Sequence, residues 1–227
     1  MARLRKASRL WQNADSRAAA NTVMIGDDGV EWRIDPPVLF GRRAPLEVEL
    51  GAGRGDFLME RAAANPDRDF IAVELATTVA RLMAVRAGRR ELANLRVACA
   101  DVRTLVNLLI PDGAVSAYHV YFPDPWPKAR HQKHRMFSPA LVAGIIRTLS
   151  DGGVVHVASD VRAWADEMFA MMMDGGFVAT TGRLVATAGA DRSGFGRKYR
   201  AAGRPFFGLS FIRNDSASLH DSDVYER

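Results

Sequence analysis

The residues of this 227-residue chain best suited to chemistry are four acids, three at the ends of short apolar stretches and one between two prolines. The first opens the run Glu49-Leu50-Gly51-Ala52-Gly53-Arg54-Gly55, which leaves a short apolar stretch. Glycines at alternate positions allow a tight turn and let a ligand approach the backbone closely. Glu74 follows the apolar run FIAV, and Asp101 closes LRVACAD. Asp124 lies inside Tyr121-Phe122-Pro123-Asp124-Pro125-Trp126-Pro127-Lys128, where three prolines in five positions fix the backbone and remove amide donors. That makes a rigid loop holding one carboxylate beside an aromatic ring and a cation.

Acids at successive strand ends suit an adenosine-bearing ligand. A carboxylate at the second strand end can accept both hydroxyls of a ribose, and one at the third can receive an adenine amino group. Two ligand classes compete. A dinucleotide such as NAD brings a pyrophosphate to the helix terminus, usually over G-x-G-x-x-G. Here the spacing is G-x-G-x-G with Glu49 beside it. That acid repels a pyrophosphate but accepts an ammonium, so charge favours S-adenosylmethionine, with Glu49, Gly51, Gly53, Gly55, Glu74 and Asp101 around it.

These residues need a scaffold that brings several strand ends to one edge. LEVEL (46–50), DFIAVEL (69–75), LRVACAD (95–101), VSAYHVYF (115–122) and GVVHVASD (153–160) are short, rich in β-branched residues and bounded by Gly, Pro or Asp. Between them, helical spacing marks Gly55–Ala64, Thr77–Arg90, Ala140–Leu149 after the cap region Ser138-Pro139, and Trp164–Met173. The methionines of the last helix, with Trp164, read as a core face. Such alternation predicts an α/β fold: a Rossmann-like, mostly parallel, doubly wound sheet with helices on both faces. Residues 177–182 and 206–213 read as a closing antiparallel pair joined by a Gly- and Arg-rich loop. The expected division is a basic N-terminal arm and lead-in over 1–44, one domain over 45–213, and a polar, frayed tail over 214–227.

Composition narrows the setting. With 48% hydrophobic and 25% charged residues the chain is globular, and no stretch approaches the roughly 18 apolar residues of a membrane span. A single cysteine, Cys99, excludes an internal disulfide or a thiolate-built zinc site and fits a reducing cytoplasm. The net charge of +5 is modest, but its distribution is uneven. Arg3, Arg5, Lys6, Arg9 and Arg17 crowd the N-terminus, and Lys128, Arg130, Lys133 and Arg135 form a strip without an acid. His131 and His134 lack a carboxylate or thiol companion, so a phosphate-facing strip is expected there and no metal.

EVELGAGRGDF, IAVEL, ACAD and above all FPDPWPKARHQKHRMFSP resemble the bacterial tRNA (guanine-N7)-methyltransferases, from about Pro45 to Arg213. The resemblance implies a seven-stranded methyltransferase sheet. It places Glu49, Glu74, Asp101 and Asp124 in the donor site, with Asp124 also the catalytic acid. Lys128 and Asp160 would contact the substrate, and tRNA is the implied partner of a monomer or homodimer. One motif departs: where the family carries Thr-x-x-Glu, this chain has Ser193-Gly194-Phe195-Gly196. Ser193 would still face the substrate, and a glutamate restored at 196 is expected to point into the site. The missing carboxylate keeps a second acceptor open, a small purine-like heterocycle, and more distantly a non-catalytic RNA-binding role.

Overall fold

The computed structural model describes residues 24–25, 33–125, 135–180 and 189–214. Among these, eight strands form one sheet: β1 (Met24–Ile25), β2 (Leu46–Leu50), β3 (Asp69–Val73), β4 (Leu95–Ala98), β5 (Val115–Tyr121), β6 (Leu149–Ser159), β7 (Phe177–Ala179) and β8 (Phe207–Arg213). Their order is β1-β4-β3-β2-β5-β6-β8-β7. The pairs on the β1 side, through β6, are parallel, and β8 runs antiparallel to both β6 and β7. The closing pair is therefore as the sequence suggests, and the seven strands from β4 to β7 keep the expected arrangement. The eighth differs from expectation: Met24 and Ile25 pair with Val97 and Ala98 and extend the edge. Sequence pattern misses it because two residues carry no periodicity.

β2 and β3 are buried along their whole lengths, so β2 carries Glu47 and Glu49 into the interior with its apolar residues. β2 lies between β3 and β5, the point where the strand order reverses, so the ligand crevice opens at its carboxyl end. Core forms on both faces. One side gathers Ile34, Val48, Phe137, Trp164, Met168 and Phe211, the other Phe57, Leu58, Phe70, Met83 and Val97. The helix Arg162–Asp174 buries Trp164, Met168 and Met172 at successive turns, the predicted core face. The lead-in is more than an arm: Ile34 is buried and its N–H donates to the Leu109 carbonyl at 3.1 Å. After it, Pro36–Phe40 forms a short helix started by two prolines.

Two further differences matter for the site. β4 ends at Ala98, and Asp101 becomes the N-cap of the turn Val102–Thr104. The stretch expected as loop contains a helix, Gly194–Ala201, capped by Ser193. A row of polar side chains also crosses the sheet: Glu47 on β2, His119 on β5, His156 on β6 and Ser210 on β8. His119 Nε2 contacts Glu47 Oε2 at 2.9 Å and its ring stacks on His156, whose Nδ1 meets Ser210 Oγ at 2.9 Å.

Candidate active site

The glycine loop is fixed from behind. Gly51 and Ala52 both donate to the Val73 carbonyl at 2.9 Å, pulling the turn against β3. Gly55 begins the helix Asp56–Ala64 with φ of +67°, and an added Cβ would lie 2.3 Å from Met83 Sδ, so strain and contact both demand glycine. At Gly53 an added Cβ would meet nothing within 4 Å, so the loop is open where a ligand would approach.

Each acid has a distinct environment. Glu74 accepts from Gly53 N–H at 2.9 Å and from Ala76 N–H at 2.8 Å, one bond per oxygen, which orients the carboxylate at the cleft. Asp101 caps its turn by accepting from Arg103 N–H at 2.8 Å and is gripped by the Arg103 guanidinium, with Nη2 to Oδ2 at 2.6 Å. That guanidinium holds the Asp101 carboxyl below its ordinary range. Glu49 is only 4% exposed, and its Oε2 has no hydrogen-bond partner. Burial, reinforced by Asp56 and Glu74, pushes its pKa well above the usual carboxylate value.

Asp124 arrives from the fourth motif. Phe122, leaving β5, adopts φ of +55° and donates its N–H to the Ala158 carbonyl at 2.7 Å. A non-glycine residue in that region stores about 1–3 kcal/mol of strain, a cost often found at functional turns. The turn brings Pro123 and Asp124 onto a cleft of about 700 Å³ with Gly51, Gly53, Glu74 and Asp101. An adjoining cleft of about 560 Å³ is lined by Glu49, Asp56, Ser193, Arg197 and Lys198. The two share Tyr121, Phe122 and Phe195 as walls.

Glu74, Asp101 and Asp124 thus line one cleft, and Glu49 lines its neighbour. The acceptor residues are placed less uniformly. Ser193 is buried, its hydroxyl donating to the Ala190 carbonyl at 2.7 Å while accepting from Gly196 N–H at 2.9 Å. Asp160 pairs with Arg204 at 3.5 Å and with the Tyr199 hydroxyl, whose ring packs on Phe122 and Phe195. Arg135, expected to face phosphates, turns inward onto Glu167, Pro125 and Trp164. Lys128, Arg130 and Lys133 lie outside the described residues, as do the N-terminal cations and the tail beyond residue 214.

Sequence reasoning missed Arg103, Tyr121 and Phe195 as cleft residues. Phe195 is 55% exposed, unusual for a phenylalanine, and its glycine neighbours concealed the helix that presents it. Beneath the cleft, the Tyr121 hydroxyl meets His119 Nδ1 at 3.0 Å. Burial lowers the pKa of His119 and keeps it neutral, so Nε2 carries the hydrogen donated to Glu47 and Nδ1 accepts from Tyr121. Glu47 is enclosed, which alone would raise its pKa. Hydrogen bonds from His119 and Arg61 outweigh that and hold it at about 2.

S-adenosylmethionine fits this set of donors and acceptors. The unpartnered Glu49 oxygen suits its ammonium, Glu74 its ribose hydroxyls, and the side-chain-free loop gives it room. A Rossmann-like sheet bearing this loop and these acids defines the class: an S-adenosylmethionine-dependent methyltransferase. Solved structures share the fold, among them the 16S rRNA methyltransferase KamB, with a TM-score of 0.61 at 18% identity over 84% of this chain and 99% of that one. Another is an S-adenosylmethionine-dependent methyltransferase from Aquifex aeolicus, with a TM-score of 0.53 at 13% identity over 78% and 93%. A family model described as "Putative methyltransferase" matches residues 43–190. The tRNA (guanine-N(7)-)-methyltransferase of Alcanivorax borkumensis is 39% identical over 161 residues, 70% of this chain and 67% of that protein. Its namesake from Sodalis glossinidius is 37% identical over 164 residues, 71% and 69%. The chain belongs to the tRNA (guanine-N(7)-)-methyltransferase family.

Proposed function

We propose that this protein methylates N7 of a guanine in tRNA, with Glu49, Glu74 and Asp101 holding the donor and Asp124 acting on the acceptor. The observation that carries this reading is the buried, unpartnered Glu49 oxygen, in a cleft sharing its walls with the one that Asp124 lines. The names of its relatives supply the acceptor. When bound, S-adenosylmethionine supplies a methyl group on a sulfonium, open to in-line attack.

Guanine N7 offers a lone pair and has no proton to lose, so Asp124 need not be a strong base. Asp124 orients the base and stabilises the positive charge that develops on it, an electrostatic role for a preorganised group. With donor and base bound side by side across the shared walls, nitrogen, methyl and sulfur would be held in line, and such positioning accounts for several kcal/mol of a barrier. Lys128, Arg130 and Lys133 steer phosphates, and Ser193 and Asp160 complete the acceptor side.

The test is mass spectrometry of nucleosides after incubating tRNA, free guanosine and free purine bases with labelled donor. Label in 7-methylguanosine from tRNA alone is expected. Label only in a free heterocycle would overturn the tRNA reading in favour of the small-molecule one.

A further inference from the structure

Asp124 stands in a stretch poor in backbone donors, because Pro123 and Pro125 have no N–H. Such a turn has few amides with which to tie itself down and depends on tethers at its two ends. Upstream, the tether is Phe122 N–H to the Ala158 carbonyl at 2.7 Å. Downstream, Arg135 Nε donates to the Pro125 carbonyl at 2.9 Å. The same guanidinium donates through Nη1 to Glu167 Oε2 at 2.5 Å and lies 4.4 Å over the ring of Trp164. Trp164 and Glu167 both belong to the helix Arg162–Asp174, whose inner face is core.

This geometry does not suit a phosphate contact. The Arg135 side chain is only 16% exposed, and Glu167 neutralises its charge and would repel a phosphate. We propose that Arg135 is a positioning residue: with Glu167 and Trp164 it forms a strut that fixes the Pro123–Pro125 turn and so places Asp124 in the cleft. The inference rests on the reading of Asp124 as the group that acts on the acceptor. Its consequence is specific. Arg135 sets the rate of the transfer step, whereas the other cations of its sequence run set affinity for the polyanion.

The experiment compares Arg135→Gln, Glu167→Gln and the double variant with Asp124→Asn in the full chain. Three quantities are read: the single-turnover methylation rate at saturating tRNA, the salt dependence of tRNA affinity, and donor affinity. Arg135→Gln is expected to slow the saturated rate by about 10- to 100-fold, the scale of a misplaced catalytic group. Its salt slope and donor affinity stay as in the parent. Glu167→Gln slows the same step by a smaller factor, and the double variant is no slower than Arg135→Gln, as expected for partners in one strut. A normal saturated rate with a salt slope flattened by about 0.9 would make Arg135 a phosphate contact and overturn the proposal. If Arg135→Gln fails to fold, Glu167→Gln decides: a parental rate there overturns the strut. Asp124→Asn separates the two levels. A parental rate in that variant defeats the underlying reading of the site. A slow Asp124→Asn beside a fast Arg135→Gln defeats only the strut.

Discussion

Replacing Gly196 tests whether the missing glutamate is an open position or a closed one. An added Cβ would lie 1.9 Å from the Ala190 carbonyl oxygen, 2.7 Å from its carbon and 2.8 Å from Asp191 Cα. All are backbone atoms, so no rotamer relieves the clash, and the helix Gly194–Ala201 must retreat by about 1.5 Å to reach ordinary contact. The Ala190 oxygen also accepts from the Ser193 hydroxyl at 2.7 Å, and that hydroxyl caps the helix through Gly196 N–H at 2.9 Å. Overpacking costs about 1–3 kcal/mol, and loss of the cap adds about 1 kcal/mol. Gly196→Ala is therefore expected to destabilise the protein by about 2–4 kcal/mol and lower its melting temperature by roughly 4–16 °C. Gly196→Glu should do at least as much harm, which corrects the expectation that a restored carboxylate would point into the site. The assay is thermal denaturation, with Ser193→Ala as the control that loses the cap and the bond to the Ala190 carbonyl but adds no Cβ at 196. A Gly196→Ala protein melting with the parent would refute the close packing of this helix on residues 190–191.

Four more outcomes are expected. Glu49→Gln should weaken donor binding by about 1.5–3 kcal/mol, through loss of a charged acceptor. Because burial raises the Glu49 pKa and an ammonium would lower it again, donor binding should release protons, and Glu49→Gln should reduce that release; calorimetry in buffers of different ionisation enthalpy would expose an unchanged proton count. Glu74→Ala should weaken the same binding by a similar amount, since it also frees the Gly53 and Ala76 amides; equal affinity in titration calorimetry removes the ribose assignment. Acid should destabilise the fold in two stages. The pKa of His156 is lowered to about 4 by burial and the neighbouring His119 and Arg61, so the unfolded chain takes up its proton first as pH falls from 6.5 to 4. Glu47, held at about 2, withdraws its stabilisation below its ordinary 4.5. His156→Gln should diminish the first stage of a melting-temperature profile, to which the buried His119 also contributes, and a profile identical to the parent's would contradict it. Lys133→Ala, if that cation meets a phosphate, should flatten the salt slope of tRNA binding by about 0.9, and an unaltered slope would return it to a solvated surface.

What could be read from the sequence followed from position along the strands. Glycines after one short strand and acids after the next two must share an edge of a parallel sheet, so the gathering of these residues at one edge was legible without coordinates. Glu47 and Glu49 show where that reading stops. Two apart on β2, they share a face, yet Glu47 is met by His119, Arg61 and Arg68 while Glu49 keeps an oxygen unpartnered. Those partners lie 14 to 72 residues away, beyond any spacing rule. Arg135 escaped for the same reason: a cation in a basic run looks solvated until Glu167, 32 residues on, is folded against it. The helix Gly194–Ala201 was hidden by its glycines, each costing about 1 kcal/mol of helix propensity. Its Ser193 cap and the packing of Tyr199 offset that, and only the cap is written locally.

The polar row from Glu47 through His119 and His156 to Ser210 also bears on how the sheet assembles. β5 aligns His119 with His156, and β8 aligns Ser210 with His156. Side chains alternate between faces, so sliding β5 by one residue would send His119 to the opposite core and bring Tyr118 or Val120 against Glu47. Aliphatic residues such as Val120 suit either core, whereas Tyr118 would also lose its buried hydroxyl contact with Thr148 at 2.7 Å. Glu47 does distinguish the two alignments: it would lose a charge-assisted hydrogen bond from His119, about 1.5–3 kcal/mol, even with Arg61 and Arg68 still in place. The row thus acts as an alignment key, rejecting misthreaded pairings that hydrophobic collapse alone would tolerate. Its members are bound to one another as a set, and a lineage that gave up His119 would have to refit Glu47 at the same time.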